Sequence, residues 1–456
     1  MPDGIQSFAT QSRGPRQKKP DETNDVKIAY LTSGAGGMYC GSCLRDNTLA
    51  RHLMQLGCDV ELLPTYTPIR TDEVDVSSDR VLYGGINVFL QEKVSLFRHV
   101  PRILDAWLDR PRLLRWATFG RIQTNAAELG GLTVSMLRGE HGHQKKEVLR
   151  LVDYLADHAR PDVVNLSNML IAGFVPALKR RRDAPVLVTL QGDDLFLADL
   201  PERDQRAAID AIGAIAPHVD GYITFSNYYA DFMSAWLRLP REKFHLAPLG
   251  IDVDDFAGEL PPRPADCPPT IGFLARHCPA KGLHVLVEAY LKLRAWRPDR
   301  VVRLHTAGWL GEGDRAYFDE QVARLRAAGF ERDCHFAGVV DRRQKVEFLR
   351  SIDVFSAPTT YREPKGLFVL EALASGVPVV QPAHGAFPEL LEATGGGRLV
   401  PPNDADALAD ALDALVESRE EAAALGRTGR EAVLARFHAA EVAARTLAIY
   451  REVARR

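Results

Sequence analysis

The sequence predicts an α/β protein of two Rossmann-like, doubly wound domains facing each other across a cleft. Three observations predict it. The chain has 456 residues, more than one hydrophobic core usually serves. Short apolar runs alternate with helix-patterned stretches through both halves, as in parallel sheets covered by helices on both faces. Between the halves, ELPPRPADCPPT (259–270) places five prolines in twelve residues, a stiff stretch suited to an interdomain linker. The expected organisation is a disordered tail over 1–25, a first domain over 26–255, a linker over 256–270, a second domain over 271–435 and a final helix over 436–456.

The elements follow in order. Residues 1–25 are polar, with Gly, Pro, Gln and Lys and no apolar run; this is a disordered tail and not a signal peptide. KIAYLTS reads as a strand. The stretch SGAGGMYCGSCLRDN (33–47) follows it with four glycines and a Cys-x-x-Cys. Asn47 to Gly57 reads as a helix, with Leu49, Leu53, Met54 and Leu56 near a 3.6 period, and VELLPTY as the next strand. Residues 94–121, rich in Trp, Leu and Arg, interrupt the rhythm. Two readings stand: a helical hairpin packed on the domain, or an amphipathic surface for peripheral contact with a membrane or an acceptor. DVVNLSN, PVLVTLQG, GYITFSN and FHLAPLG complete the first domain. In the second, TIGFLAR, VRLHTAGW, CHFAGVV, DVFSAPT, VPVVQPA and GRLVPP are strands separated by helices such as DRRQKVEFLRSI and GLFVLEALASG. The last 35 residues read as helical.

Composition excludes several classes. There are 57 basic and 60 acidic residues and a net charge of -3, so nothing draws the chain to nucleic acid; the basic run Lys179–Arg182 reads as a solvated helix end. The six cysteines form no disulfide framework and no second Cys-x-x-Cys completes a zinc site, which fits a reducing, cytoplasmic compartment and no metal. No run of 18 apolar residues spans a membrane. Nothing in the sequence marks an oligomer.

Ligands of open parallel sheets bind beyond the carboxyl ends of the strands, so the loops after strands carry the chemistry. YREPKGLFVLEALASGVPVV (361–380) contains a helix that starts near Lys365 or Gly366, and its first amides form an anion site. Glu363 precedes this helix and Glu371 lies inside it among Leu367, Phe368, Val369, Leu370, Ala372 and Leu373. A helix so apolar is buried, and a buried carboxylate requires hydrogen-bond donors; vicinal sugar hydroxyls are suitable ones. LARHCPAKG (274–282) places Arg276 and Lys281 at the same sheet edge, a forked donor and a point charge suited to a diphosphate.

Together these residues resemble the retaining glycosyltransferases of family 4, which have the GT-B fold, over nearly the whole ordered chain. Glu363 and Glu371 match that family's Glu-x7-Glu motif and Arg276 and Lys281 its diphosphate pair. FHLAPLGIDVDDF (244–256) looks like its interdomain signature, and Gly36 and Gly37 like its N-terminal glycine loop. The resemblance implies an acceptor-side first domain, a nucleotide-sugar-binding second domain and a C-terminal helix over 436–456 that packs back on the first domain and braces the cleft. Arg276 and Lys281 would hold the donor diphosphate. Glu371 would accept from the ribose hydroxyls. Glu363, with the amides near Gly366 and Leu367, would contact the transferred sugar, and Val340 would lie against the base. The implied activity is hexose transfer from a nucleotide diphosphate sugar to a sugar, lipid-linked or small-molecule hydroxyl acceptor, with no cofactor or metal required.

There are departures from the family pattern. Gln191 stands where the family usually has His near the sugar's 6-hydroxyl, on the acceptor side with Asp193. Asp193 and Asp194 read equally as acceptor contacts or as loop-solvating residues. Lys365 occupies an often aromatic position and reads as a phosphate contact or a solvent-facing side chain. The glycines at 34, 36, 37 and 41 miss Gly-x-Gly-x-x-Gly, so the stretch reads as a loop closing over the donor. Cys40 and Cys43 read as space fillers or as a redox switch, and a non-catalytic or thiol-regulated sugar-nucleotide-binding protein is the alternative to a transferase. A phosphorylase would need a lysine-bound pyridoxal cofactor, which nothing marks.

Overall fold

The computed structural model describes residues 26–34, 41–81, 126–260 and 266–455. The tail 1–25, Gly36, Gly37, Cys40 and the segment 94–121 lie outside them. The first sheet comprises β1 (Lys27–Thr32), β2 (Asp59–Pro64), β3 (Val163–Leu166), β4 (Val186–Thr189), β5 (Gly221–Thr224) and β6 (Phe244–Leu246), in the order β2-β1-β3-β4-β5-β6. The second comprises β7 (Thr270–Leu274), β8 (Arg303–Ala307), β9 (Cys334–Phe336), β10 (Val354–Phe355), β11 (Val379–Pro382) and β12 (Gly397–Val400), ordered β12-β11-β10-β7-β8-β9. All pairings between these strands are parallel. β4 (VLVT) and β7 (TIGFL) are buried at every position, which is why they read as continuous apolar runs rather than alternating ones.

Six helices bear on the site: α1 (Gly41–Gln55), α2 (Asp193–Ala198), α3 (Asn227–Leu237), α4 (Arg342–Arg350), α5 (Leu367–Ala374) and α6 (Ala439–Ala454). α1 starts at Gly41 and not at Asn47. Cys43, Asn47, Ala50 and Leu53 all lie on its buried side, so packing against the sheet extends the helix back into the glycine-rich stretch. Cys43 is therefore a buried residue of the first helical turn.

α6 buries Ala443, Leu447, Tyr450 and Val453 against Ile28 and Tyr30 of β1 and Leu49 and Leu53 of α1. That spacing is one face of a helix. It reaches there because Ile251 and Phe437–Ala439 form a parallel bridge, with Ile251 N donating to Phe437 O at 3.0 Å and Ala439 N to Ile251 O at 2.9 Å.

Each sheet reverses its strand order once, between β1 and β3 and between β7 and β10. Such switch points leave a crevice at the carboxyl edge. The loops after β7 and β10 carry Lys281 and Glu363, and the glycine-rich stretch follows β1 in the sequence. Among the described residues no helix is long and apolar enough to cross a membrane.

Candidate active site

The loop after β7 is short and tightly turned. Lys281 ends a 3-10 turn (Pro279–Lys281), and Gly282 follows at φ 76°. A Cβ on Gly282 would lie 1.8 Å from Pro358 O, so only glycine lets the two switch-point loops touch. Thr360 N donates to Ala280 O at 3.0 Å and joins them again.

This closeness brings Lys281 Nζ to Glu363 Oε2 at 2.6 Å and to Tyr361 Oη at 2.6 Å. The Tyr361 hydroxyl donates in turn to Glu363 Oε2. Lys281 also lies 5.0 Å from the Tyr361 ring centroid and 5.2 Å from that of Phe368 on α5, a cation–π placement. The Glu363 main chain is held by Ala386 N, which donates to Glu363 O at 2.8 Å. Glu363 is 3% exposed. Burial alone would raise its carboxyl; Lys281 and the Tyr361 hydrogen bond outweigh it and hold the carboxyl down to about 2. Glu363 is thus a fixed, ionised acceptor at the mouth of the second sheet.

Glu371 lies on α5 one turn beyond Phe368, buried. Its Oε1 accepts from Lys345 Nζ of α4 at 2.8 Å. Lys345 is also paired with Asp72 Oδ2 of the first domain at 2.9 Å. Next to this triad Arg342 reaches Glu73 Oε1 at 3.1 Å and also bonds Asp255, and Arg51 bonds Asp252. Val340 is half-buried just before α4. Arg276 is exposed, its Nε 3.3 Å from Cys278 Sγ. Gly366 caps α5 at φ 83°, with Leu367 as the first helical residue.

The first domain faces this edge. Lys365 Nζ donates to Ser42 Oγ of α1 at 2.8 Å. A Cβ on Gly41 would lie 3.3 Å from Leu367 Cδ1, and one on Gly192 4.0 Å from Pro364 Cγ. Gln191 is buried: its amide donates to Ser167 O at 2.9 Å and Asp46 Oδ1 at 3.2 Å, while its Oε1 has no partner among the described residues. Asp193 accepts from Met169 N at 2.6 Å and Gln191 N at 3.1 Å, which ties its carboxylate to its own domain; burial pushes it up to about 6. Asp194 accepts from Tyr229 Oη of α3 at 2.5 Å. Burial raises it too, and Glu363 across the cleft adds to the rise. Glu389 of the second domain accepts from Asn227 N and Tyr228 N at 2.9 and 2.6 Å, capping α3 from across the cleft.

The structure therefore groups Lys281, Glu363, Lys365, Gly366 and Leu367 directly and sets Glu371 one helical turn further along α5. Val340 leads into the helix that contacts Glu371, Arg276 stands on the loop of Lys281, and Gln191 and Asp193 line the opposing domain. Sequence reasoning missed Tyr361, Lys345, Asp72 and the Asp194–Tyr229 pair. The donor that a buried Glu371 requires is supplied by the protein's own Lys345. The available signal was Lys345 beside Val346 and one turn before Leu349, on the buried side of α4.

Two comparisons of sequence bear on this arrangement. Residues 262–432 match the family described as Glycosyl transferases group 1, and residues 131–255 match Glycosyltransferase Family 4. A phosphatidyl-myo-inositol mannosyltransferase of Mycobacterium leprae is 34% identical over 211 residues, 45% of this chain and 53% of that protein. A GDP-mannose-dependent monoacylated alpha-(1-6)-phosphatidylinositol monomannoside mannosyltransferase of Corynebacterium glutamicum is 28% identical, covering 57% of this chain and 68% of that protein. The chain spans about half the length of the first of these relatives. Among solved structures, sucrose-phosphate synthase from Thermosynechococcus elongatus aligns with TM-score 0.67 at 20% identity, over 94% of this chain and 99% of that one. Anabaena HepE in complex with UDP and glucose aligns with TM-score 0.64 at 17% identity, over 93% and 99%. At these identities the structural matches establish the fold, GT-B.

Proposed function

The chain belongs to the family 4, group 1 glycosyltransferases, and on that footing we propose that it moves a hexose from a nucleotide diphosphate sugar to a hydroxyl acceptor. Anomeric configuration is retained and no metal is required. The observation that carries this reading is the Lys281–Glu363 pair at 2.6 Å, fixed where the two switch-point loops cross. A buried carboxylate held ionised beside a cation suits a sugar's hydroxyls on one side and a diphosphate on the other.

In this reading Lys281, with one of its three protons left over from Tyr361 and Glu363, and Arg276 grip the diphosphate, aided by the amino end of α5. Glu363 and the amides of Gly366 and Leu367 orient the sugar. Lys365 adds a positive charge, Glu371 takes the ribose diol, and Val340 meets the base. The loop of Gly36 and Gly37 covers the donor. Gln191 and Asp193 shape the acceptor side, Asp193 by fixing its loop so that Asp194 faces Glu363. The bond from the anomeric carbon to the phosphate oxygen breaks and the acceptor oxygen bonds to that carbon on the same face. The departing diphosphate takes the acceptor proton, and the cations stabilise its charge.

The mannosyltransferase relatives make GDP-mannose the first donor to test and a lipid-linked or sugar hydroxyl the first acceptor class. Among the described residues Cys58, Cys267, Cys278 and Cys334 are free thiols, which supports the cytoplasm as the compartment. The test is donor turnover in the presence of a chelator across a panel of nucleotide sugars, with the product anomer read by NMR. Retention and chelator-insensitive turnover support the proposal. Tight donor binding with no product across many acceptors, or turnover undiminished in both Glu363→Gln and Lys281→Ala, contradicts it.

A further inference from the structure

We propose that Lys345 is a positioning residue for nucleotide recognition: it holds the Glu371 carboxylate so that one oxygen stays committed to a ribose diol. The inference rests on the assignment of Glu371 to the ribose and adds a residue to it. Among the described residues, Lys345 is the single hydrogen-bond donor to that carboxylate, and it binds Oε1 alone. The ammonium is itself fixed, because Asp72 Oδ2 takes a second of its protons at 2.9 Å.

The backbone beneath Lys345 is equally constrained. Asp341 caps α4 with a reciprocal capping box, Gln344 N to Asp341 Oδ1 at 2.8 Å and Asp341 N to Gln344 Oε1 at 2.9 Å. Lys345 N donates to Asp341 O at 2.8 Å. Such a box removes the fraying of a first turn. Val340, proposed to meet the base, is the residue just before this cap, so one rigid turn governs both ends of the nucleoside.

A carboxylate buried on an apolar helix is costly to keep charged without a donor. With Lys345 in place the charge is matched and the group cannot rotate both oxygens toward the protein. A lysine is suited to this role because its compact charge tolerates two acceptors at once.

The experiment measures binding of GDP and UDP to the intact protein by calorimetry. The tighter of the two is then compared with its 2′,3′-dideoxy counterpart. The unmodified protein is expected to prefer the ribonucleotide by about tenfold or more, as one charge-assisted hydrogen bond implies. Glu371→Gln should remove that preference. Lys345→Met should also cut it to within about threefold, while affinity for the dideoxy nucleotide changes little; Lys345→Arg should restore part of it. Where Lys345→Met does not fold, Lys345→Gln carries the same test, since it keeps the side chain's bulk without the charge. A Lys345 variant that keeps the full preference, or that weakens both nucleotides equally, overturns the inference and leaves Glu371's role standing. Absence of any preference in the unmodified protein overturns the ribose assignment itself.

Discussion

Glu363 and Glu371 stand eight residues apart, both buried and both bonded to a lysine, yet the two sites are built differently. Glu363 draws Lys281 and Tyr361 from loops of its own domain, and its backbone is fixed by the loop after β11. Glu371 draws on Lys345, which is shared with Asp72 from the other domain. The first site is complete within one sheet edge. The second is completed when the two domains meet. In the proposed reading, a centre for charge development built within one domain thus sits beside a nucleotide site whose lysine also bonds the other domain.

The largest expected effect separates the two sites by what each does. Glu363→Gln and Lys281→Ala should each lower kcat for donor turnover by about a thousandfold, the scale of losing one preorganised electrostatic partner. Glu371→Gln should act mainly on donor KM. Equal kcat losses at both glutamates would erase the distinction.

Next in size is a pH effect confined to Glu363. Its folded carboxyl is depressed to about 2 from the ordinary 4.5, so its stabilising contribution is complete above pH 4.5 and is lost as pH falls through 2. Urea unfolding of the native protein against Glu363→Gln should show a stability gap that shrinks by on the order of 3 kcal/mol across that window. A constant gap would mean that Lys281 does not hold the charge.

Glu371→Gln is expected to weaken nucleoside diphosphate binding by about 10- to 100-fold, read by calorimetry. The smallest effect belongs to the tie between domains. Asp72→Asn keeps an acceptor for Lys345 and removes one charge, so nucleotide affinity should change by less than about fivefold. A larger loss would make the interdomain contact, and not the Lys345–Glu371 bond, the dominant element.

The same contrast explains what the sequence revealed. Glu363, Glu371, Arg276 and Lys281 are legible because each lies at a fixed offset from a strand or helix signal, and strands such as IAYLT and VLVT announce themselves by continuous apolar character. Lys345 and Asp72 are not legible, since 273 positions separate them (345 less 72) and only the packing of two domains brings them together. The start of α1 was misjudged for a related reason. Glycines at 36, 37 and 41 signal a loop, and the burial of Cys43 against the first sheet, with Asn47 held by Val74 O and Val76 N, overrides that local preference.

The most direct test of the central claim is a double-mutant cycle on donor turnover with Glu363→Gln and Lys281→Ala. If the two side chains act as one charged unit at the crossing of the switch-point loops, the double variant should be little worse than either single one. Losses that multiply, or single variants that turn over as the native protein does, would contradict it.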